Sequence, residues 1–392
     1  MFDFFKFDFI FNLKLAFAVV WSFWVISIFI LLSTALLTLL ERKVMASVQR
    51  RRGPNVIGFF GLLQPFADGL KLALKETNVP FKASRSLFII GPVLAFFLAV
   101  FGWAFLPFPS FFLTSKFSYN WNIFGENFFN GDESSVKSVF FLTPGSSVLD
   151  FDLSLMFVFV ITSLHVYAVL IGGWASNSRY ALLGALRSTA QSISYELTMG
   201  FIILVVGLLN ESLHLSTIVF SQYTVWNVFS LFPAFVVFLV CSLAELNRTP
   251  FDLVEAEGEL VAGYNVEYSA MMFALYFLGE YISIIFSCFV TAILFGGGWL
   301  LPSIFPSFLF FFIPVSFLYF FLNTGVFINF ILFFVSVIVL VIKVVLLILL
   351  SLLIRFVLPR YRYDQLMYIG WTAFLPFCLA LLIFVAVGFI YY

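Results

Sequence analysis

The sequence predicts an all-α, polytopic membrane protein, and three observations carry that prediction. Hydrophobic residues make up 63% of the 392, only 10% are charged, and mean hydropathy is +1.11. No soluble core needs that much apolar surface, so the bilayer is part of the solvent. Second, eight stretches hold the roughly 20 apolar residues that a helix needs to cross. They lie near 15–40, 86–106, 153–176, 188–209, 228–246, 269–299, 334–357 and 371–392. Third, none alternates with a period of two, which leaves the helix as the spanning element. With no internal repeat and no Gly/Ser linker, residues 1–392 read as one transmembrane domain.

Taken in order, Met1–Lys14 alternates charge with Phe and lacks a small-residue cleavage site. It reads as an interfacial or short amphipathic start and not as a signal peptide. Between the first two spans, Leu62, Phe66, Leu70 and Leu74 recur every four residues, opposite Asp68, Lys71 and Lys75. That pattern predicts an amphipathic helix lying along the membrane surface. Its plainer reading is an anchor that snorkels lysines to lipid phosphates. Ahead of it, Arg50–Arg52 with Gly53–Pro54 form a basic corner suited to headgroups or a soluble partner. Residues 107–152 read as a polar outside excursion.

Eight spans put fifteen of the twenty Lys and Arg on one side, and the positive-inside rule assigns that side inward. Both termini then face outward. Residues 301–333 are apolar but broken by Pro302, Pro306, Pro314, Asn323 and Gly325. A single crossing there would move Arg355, Arg360 and Arg362 outside, so an outside hairpin or re-entrant pair is expected.

Net charge is zero, which points away from nucleic acid. Cys241, Cys288 and Cys378 are isolated in apolar runs, so neither a disulfide framework nor a Cys-ligated cluster is expected. Two histidines are too few for paired haem ligands at several centres. His165 reads as a packing residue and His214 as an ordinary loop residue. No strand carries G-x-G-x-x-G, so nicotinamide binding is expected elsewhere.

Chemistry is concentrated in the acids. Glu41, Asp68, Glu76, Glu196, Glu245, Asp252, Glu255, Glu257, Glu259, Glu267, Glu280 and Asp364 all stand in or near the ends of membrane-length segments. A carboxylate at that depth costs several kcal/mol and persists where it edges a wet cavity or a proton path. The fourth span carries Arg187 and Glu196 with Ser188, Thr189, Gln191, Ser192, Ser194 and Thr198 along one side. Such a stripe fits a hydrated intramembrane path, or a helix contact fixed by hydroxyls and amides. Residues 245–267 hold six acids and one cation, Arg248. On a helix Asp252, Glu255 and Glu259 would share a face, where like charges hold protons near neutral pH. A solvated acidic loop is the bland alternative. Glu280 extends the acids into the sixth span, while Lys343 in the seventh is equally a relay or a structural pair and is assigned no role.

Four blocks resemble the NADH dehydrogenase subunit 1 family of respiratory complex I, mitochondrial form. They are ERKVMASVQRRRGPNVIGFFGLLQPFADGLKLALKE, GGWASNSRYALLGALRSTAQSISYE, AELNRTPFDLVEAEGELVAGYNVEYSAMMFALYFLGEY and LPRYRYDQLMYIGWTAFLP, together about a third of the chain. The resemblance implies a core membrane subunit that forms a quinone tunnel and the first acidic part of a proton route. It implies tunnel or near-tunnel positions for Arg42, Asp68, Glu76, Arg187, Glu196 and Arg248. The proton relay it implies is Glu245, Asp252, Glu255, Glu257, Glu259, Glu267 and Glu280. Ubiquinone is then the substrate, with no NAD, flavin, haem or Fe–S cluster bound by this chain. Implied partners are Fe–S-bearing quinone-module subunits, neighbouring small membrane subunits and lipid. The implied location is the inner mitochondrial membrane, with the basic loops toward the matrix. Departures from the family are longer segments at 107–150 and 302–333, Thr372 for a frequent basic residue, and His165 where a small residue is common. A stand-alone proton-coupled transporter also explains buried acids, but inverted repeats are absent. The related membrane subunit of an energy-converting hydrogenase is a more distant alternative.

Overall fold

A computed structural model describes residues 2–109, 145–252, 263–300 and 325–391, with side chains described over 19–109, 147–252, 263–300 and 333–388. Helix α1 (Phe2–Val48) is unbroken because no Gly or Pro occurs before Gly53. The amphipathic start expected over the first residues is therefore continuous with the first span. Helix α2 (Gln64–Leu74) opens with Pro65, whose fixed φ suits a first turn. Its Phe66, Leu70 and Leu74 are exposed, which is the apolar stripe expected from the sequence. Next come α3 (Arg85–Phe101), α4 (Ser154–Ala175) and α5 (Arg179–Leu209), the last started by Ser178, which accepts from the Ala181 amide at 3.3 Å.

After the short α6 (Leu215–Ser221) and a single turn at Asn227–Ser230, α7 (Phe232–Glu245) is 14 residues long. At about 21 Å it is shorter than a hydrocarbon core of about 30 Å. Then follow α8 (Ala270–Leu294) and α9 (Gly325–Val357). Helix α10 (Tyr363–Tyr368) passes through a π-helical stretch, Ile369–Phe374, into α11 (Leu375–Tyr391). Among the described residues, seven helices are long and apolar enough to cross a membrane, with α7 as a shorter apolar helix. The one ladder described joins β1 (Phe108–Pro109) to β2 (Gly145–Ser146), antiparallel, with Phe108 opposite Ser146. This is the all-α polytopic fold the composition predicts.

Loops meet at two opposite ends. At one, Ser84 donates to Ala175 O (3.1 Å) and Tyr361 to Pro250 O (3.1 Å). At the other, Leu155 donates to Leu213 O (3.1 Å) and Val228 to Phe295 O (3.0 Å). Helix α9 runs antiparallel to α8: its Lys343 lies at Gly296–Leu300, while its Arg355 lies level with the α8 neighbourhood of Tyr281. Residues 110–144 and 301–324, which hold most of the two longer segments, lie outside the described residues.

Helix α8 is the hub, packing on α1, α3 and α9. Close approach depends on glycine. A Cβ on Gly172 of α4 would stand 2.0 Å from the Tyr276 hydroxyl, and one on Gly91 of α3 2.6 Å from it. That space lets Tyr276 donate to Ala168 O (3.3 Å) and Tyr268 to Gly172 O (3.1 Å), so α8 is bonded to α4. Burial pushes the Tyr268 phenol up to about 12, which keeps it a donor. Outward-facing residues such as Ile338, Ile342 and Leu346 of α9 stay exposed, as lipid-facing side chains would.

Candidate functional site

Where α1 ends, two adjacent residues point to different places. Arg42 donates to Asp68 of α2 at 2.7 Å, and Gln64 donates to the same carboxylate at 3.1 Å. Both partners of the ion pair are substantially exposed. Glu41 instead turns inward and is only 5% exposed. It is paired with Arg355 of α9 and accepts from the Tyr281 hydroxyl of α8 at 2.8 Å. One buried carboxylate thereby ties three spans together. Reading along the chain assigns Glu41 no role, because a partner 314 residues away leaves no local trace.

A second charged group sits beside it. Arg248, in the turn after α7, donates to Glu280 at 3.3 Å. Its guanidinium also lies over the Tyr281 ring, 4.9 Å from the centroid, a favourable cation–π geometry. Tyr264 donates to the other Glu280 oxygen at 2.7 Å. Tyr264 reaches there because Gly184 of α5 has no Cβ: one would meet Gly263 Cα at 2.8 Å. Gly263 takes φ +57°, so a side chain there would strain the turn as well. Glu280 lies ten residues into α8, about 15 Å along the axis. Its charge is tolerated because a cation and a phenol answer both oxygens.

These groups open on a cavity of about 80 Å³ between α3, α4, α5, α7 and α8. One water needs about 10–15 Å³ of such space, so several fit. Glu245, Glu280, Tyr264, His165, Thr162 and Ser192 are among its lining residues. Asn247 lines it too, and its side-chain oxygen is buried without a protein partner among the described residues. Glu196 lies within electrostatic range of Glu245. Gln191 is turned away from the charges to hold the chain after α7, donating to Ala244 O (2.7 Å) and Phe251 O (2.9 Å). A smaller space between α1, α7, α8 and α9 is lined by Glu41, Arg248 and Arg355.

The remaining expected site residues are scattered. Asp252 is buried and accepts from Arg360 at 3.1 Å. Arg187 is half-buried on α5, Glu267 half-buried before α8, and Glu76 exposed after α2. Glu255, Glu257 and Glu259 lie outside the described residues. Arg248, expected with the tunnel group, is bonded to the relay residue Glu280. His165, assigned to packing from the sequence, faces the cavity. Its only signal in the sequence is a polar ring where the family tends to have a small side chain.

The model of the NADH dehydrogenase family matches residues 21–386. The chain belongs to the NADH dehydrogenase family. Its relatives include NADH-ubiquinone oxidoreductase chain 1 of Cyanidium caldarium, 44% identical over 90% of this chain and 86% of the relative. The protein of the same name from Chondrus crispus is 44% identical over 90% of each chain. A bacterial relative, an NADH-quinone oxidoreductase subunit of Paramagnetospirillum magneticum, is 43% identical over 91% of this chain and 88% of its own length. The family match spans the helices that build the cavity and both buried ion pairs.

Proposed function

We propose that this chain is a core membrane subunit of a proton-pumping NADH:ubiquinone oxidoreductase, and that its buried acids link quinone reduction to proton movement. The names of its relatives support the enzyme and its quinone substrate. The cavity edged by Glu245 and Glu280 is the observation that carries the proton link. Carboxylates at that depth, joined by hydroxyls and room for water, are what a proton route requires.

A lipophilic quinone would approach through the region of α2, whose exposed apolar stripe suits the membrane surface. Arg42 and Asp68 stand at the junction of α1 and α2 with polar groups for its headgroup. Arg187, Glu76 and Glu196 belong to the same proposed tunnel region, and Asp252, Glu255, Glu257, Glu259 and Glu267 to the proposed route. Arg248 is the joint between them. Charge arriving at a reduced quinone would compete with Glu280 for its guanidinium, and a released Glu280 would take up a proton. The partners are the Fe–S-bearing subunits that deliver electrons and the membrane subunits that continue the route. The assembly would sit in the inner mitochondrial membrane with the basic end toward the matrix.

The test is Glu280→Gln in the assembled complex in sealed vesicles, counting protons moved per NADH oxidised. The ratio is expected to fall by roughly tenfold or more, the scale of losing a positioned proton carrier. An unchanged ratio would remove Glu280 from the route.

A further inference from the structure

The cavity holds one titratable ring that the route above does not use. His165 of α4 lines the space it shares with Glu245 and Glu280. Among the described residues its ring makes no hydrogen bond or ion pair, and its nitrogens are not among the buried atoms sealed off without a partner. A ring turned toward a space that admits water and is rimmed by hydroxyls finds its partners there.

The groups facing this space can be named element by element. Helix α7 contributes Glu245, α8 contributes Glu280, and the turn before α8 contributes Tyr264. Arg248 stands on the far side of Glu280, and Glu196 of α5 acts on Glu245 from outside the lining. Helix α3 adds no titratable group, only Leu98, Ala99 and Gly102. Glu245 and Glu280 are therefore acids on different helices, and His165 lines the same space from a third.

We propose that His165 is a proton carrier between Glu245 and Glu280. Imidazole suits this because one nitrogen accepts while the other donates. In the step, an O–H bond of a protonated carboxyl breaks as an N–H bond forms at one nitrogen. The N–H at the other nitrogen then breaks as an O–H forms on the second carboxylate. No electron moves, and the cavity ends with the charge it began with. The inference rests on the proton route proposed above.

The experiment uses His165→Gln and His165→Ala in the assembled complex in sealed vesicles, with Glu280→Gln in parallel. Protons moved per NADH oxidised are measured from about pH 5 to about pH 8. Both histidine variants are expected to lower the ratio by roughly tenfold and to change its pH profile. Imidazole added to the His165→Ala vesicles should restore much of the loss, which a packing role would not allow. If Gln prevents assembly, the smaller Ala carries the test through its rescue. A His165→Gln complex with the parent ratio and profile overturns the carrier, as does a His165→Ala loss that imidazole leaves untouched. Should Glu280→Gln abolish pumping while His165→Gln does not, the carrier fails and the route stands. Should neither change the ratio, the route itself fails.

Discussion

Two ends of this molecule handle charge in lipid by opposite means. Near Gly296–Leu300, Lys343 donates to Gly296 O (2.7 Å), Gly298 O (2.8 Å) and Leu300 O (2.7 Å), under the Trp226 ring at 4.4 Å. All three ammonium hydrogens are matched by backbone carbonyls, groups that do not titrate. Near Tyr281 the arrangement is ionic throughout: Glu41 with Arg355, and Arg248 with Glu280, which lines the cavity with Glu245. The first arrangement fixes one geometry on three backbone carbonyls, so it behaves as a clamp. The second has partners that can change charge, so it can respond. An intramembrane charge is thus not a functional residue by itself; its partners decide.

That contrast can be broken by mutation, beginning with the largest effect. Glu41→Ala leaves the half-buried Arg355 without its anion, and a loss of about 3 kcal/mol is expected. A lowered Tm of the detergent-purified complex would register it, and Glu41→Leu with Arg355→Met should recover most of the loss. If the double variant is no better than the single one, the pair is not the source of the cost. Lys343→Met strands three carbonyls and should cost on the order of 3 kcal/mol. Protons moved per NADH should stay at the parent value in the complexes that assemble; a fall would make Lys343 part of the route and erase the contrast.

Gly172→Ala pushes a methyl against the Tyr276 hydroxyl, and overpacking of this kind costs about 1–3 kcal/mol. Pairing it with Tyr276→Phe, which removes the oxygen, should return part of the Tm. The smallest expected change is Asp68→Asn. Its exposed pair with Arg42 contributes less than about 1 kcal/mol to stability. A raised KM for quinone with an unchanged Tm is the outcome that fits a substrate-facing role, and an unmoved KM would leave Asp68 a surface residue.

Much of the fold is legible in the sequence because a span leaves a local signature of about 20 apolar residues. Helix α2 is legible for the same reason, through a stripe repeating every four residues. Boundaries are less so: α1 extends to Phe2, and α9 begins at Gly325, inside the segment where prolines suggest interruption. Candidate acids can be named, since carboxylates are conspicuous among hydrocarbon residues. Their partners cannot. Arg355 and Arg360 count in the sequence only toward the orientation of the loops, yet they hold Glu41 and Asp252 over separations of 314 and 108 residues. His165 reads as a packing residue because neither period nor spacing shows which helix faces close around a space.

Tyr281 carries a consequence of its own. Its hydroxyl is given to Glu41 while its ring supports Arg248, so one phenol belongs to both ion pairs. Perturbations of Glu41 and Arg248 therefore should not add: the second substitution acts on a ring the first has already displaced. What happens at the junction of α1 and α9 is felt, through a single residue, by the ion pair that holds Glu280 at the cavity.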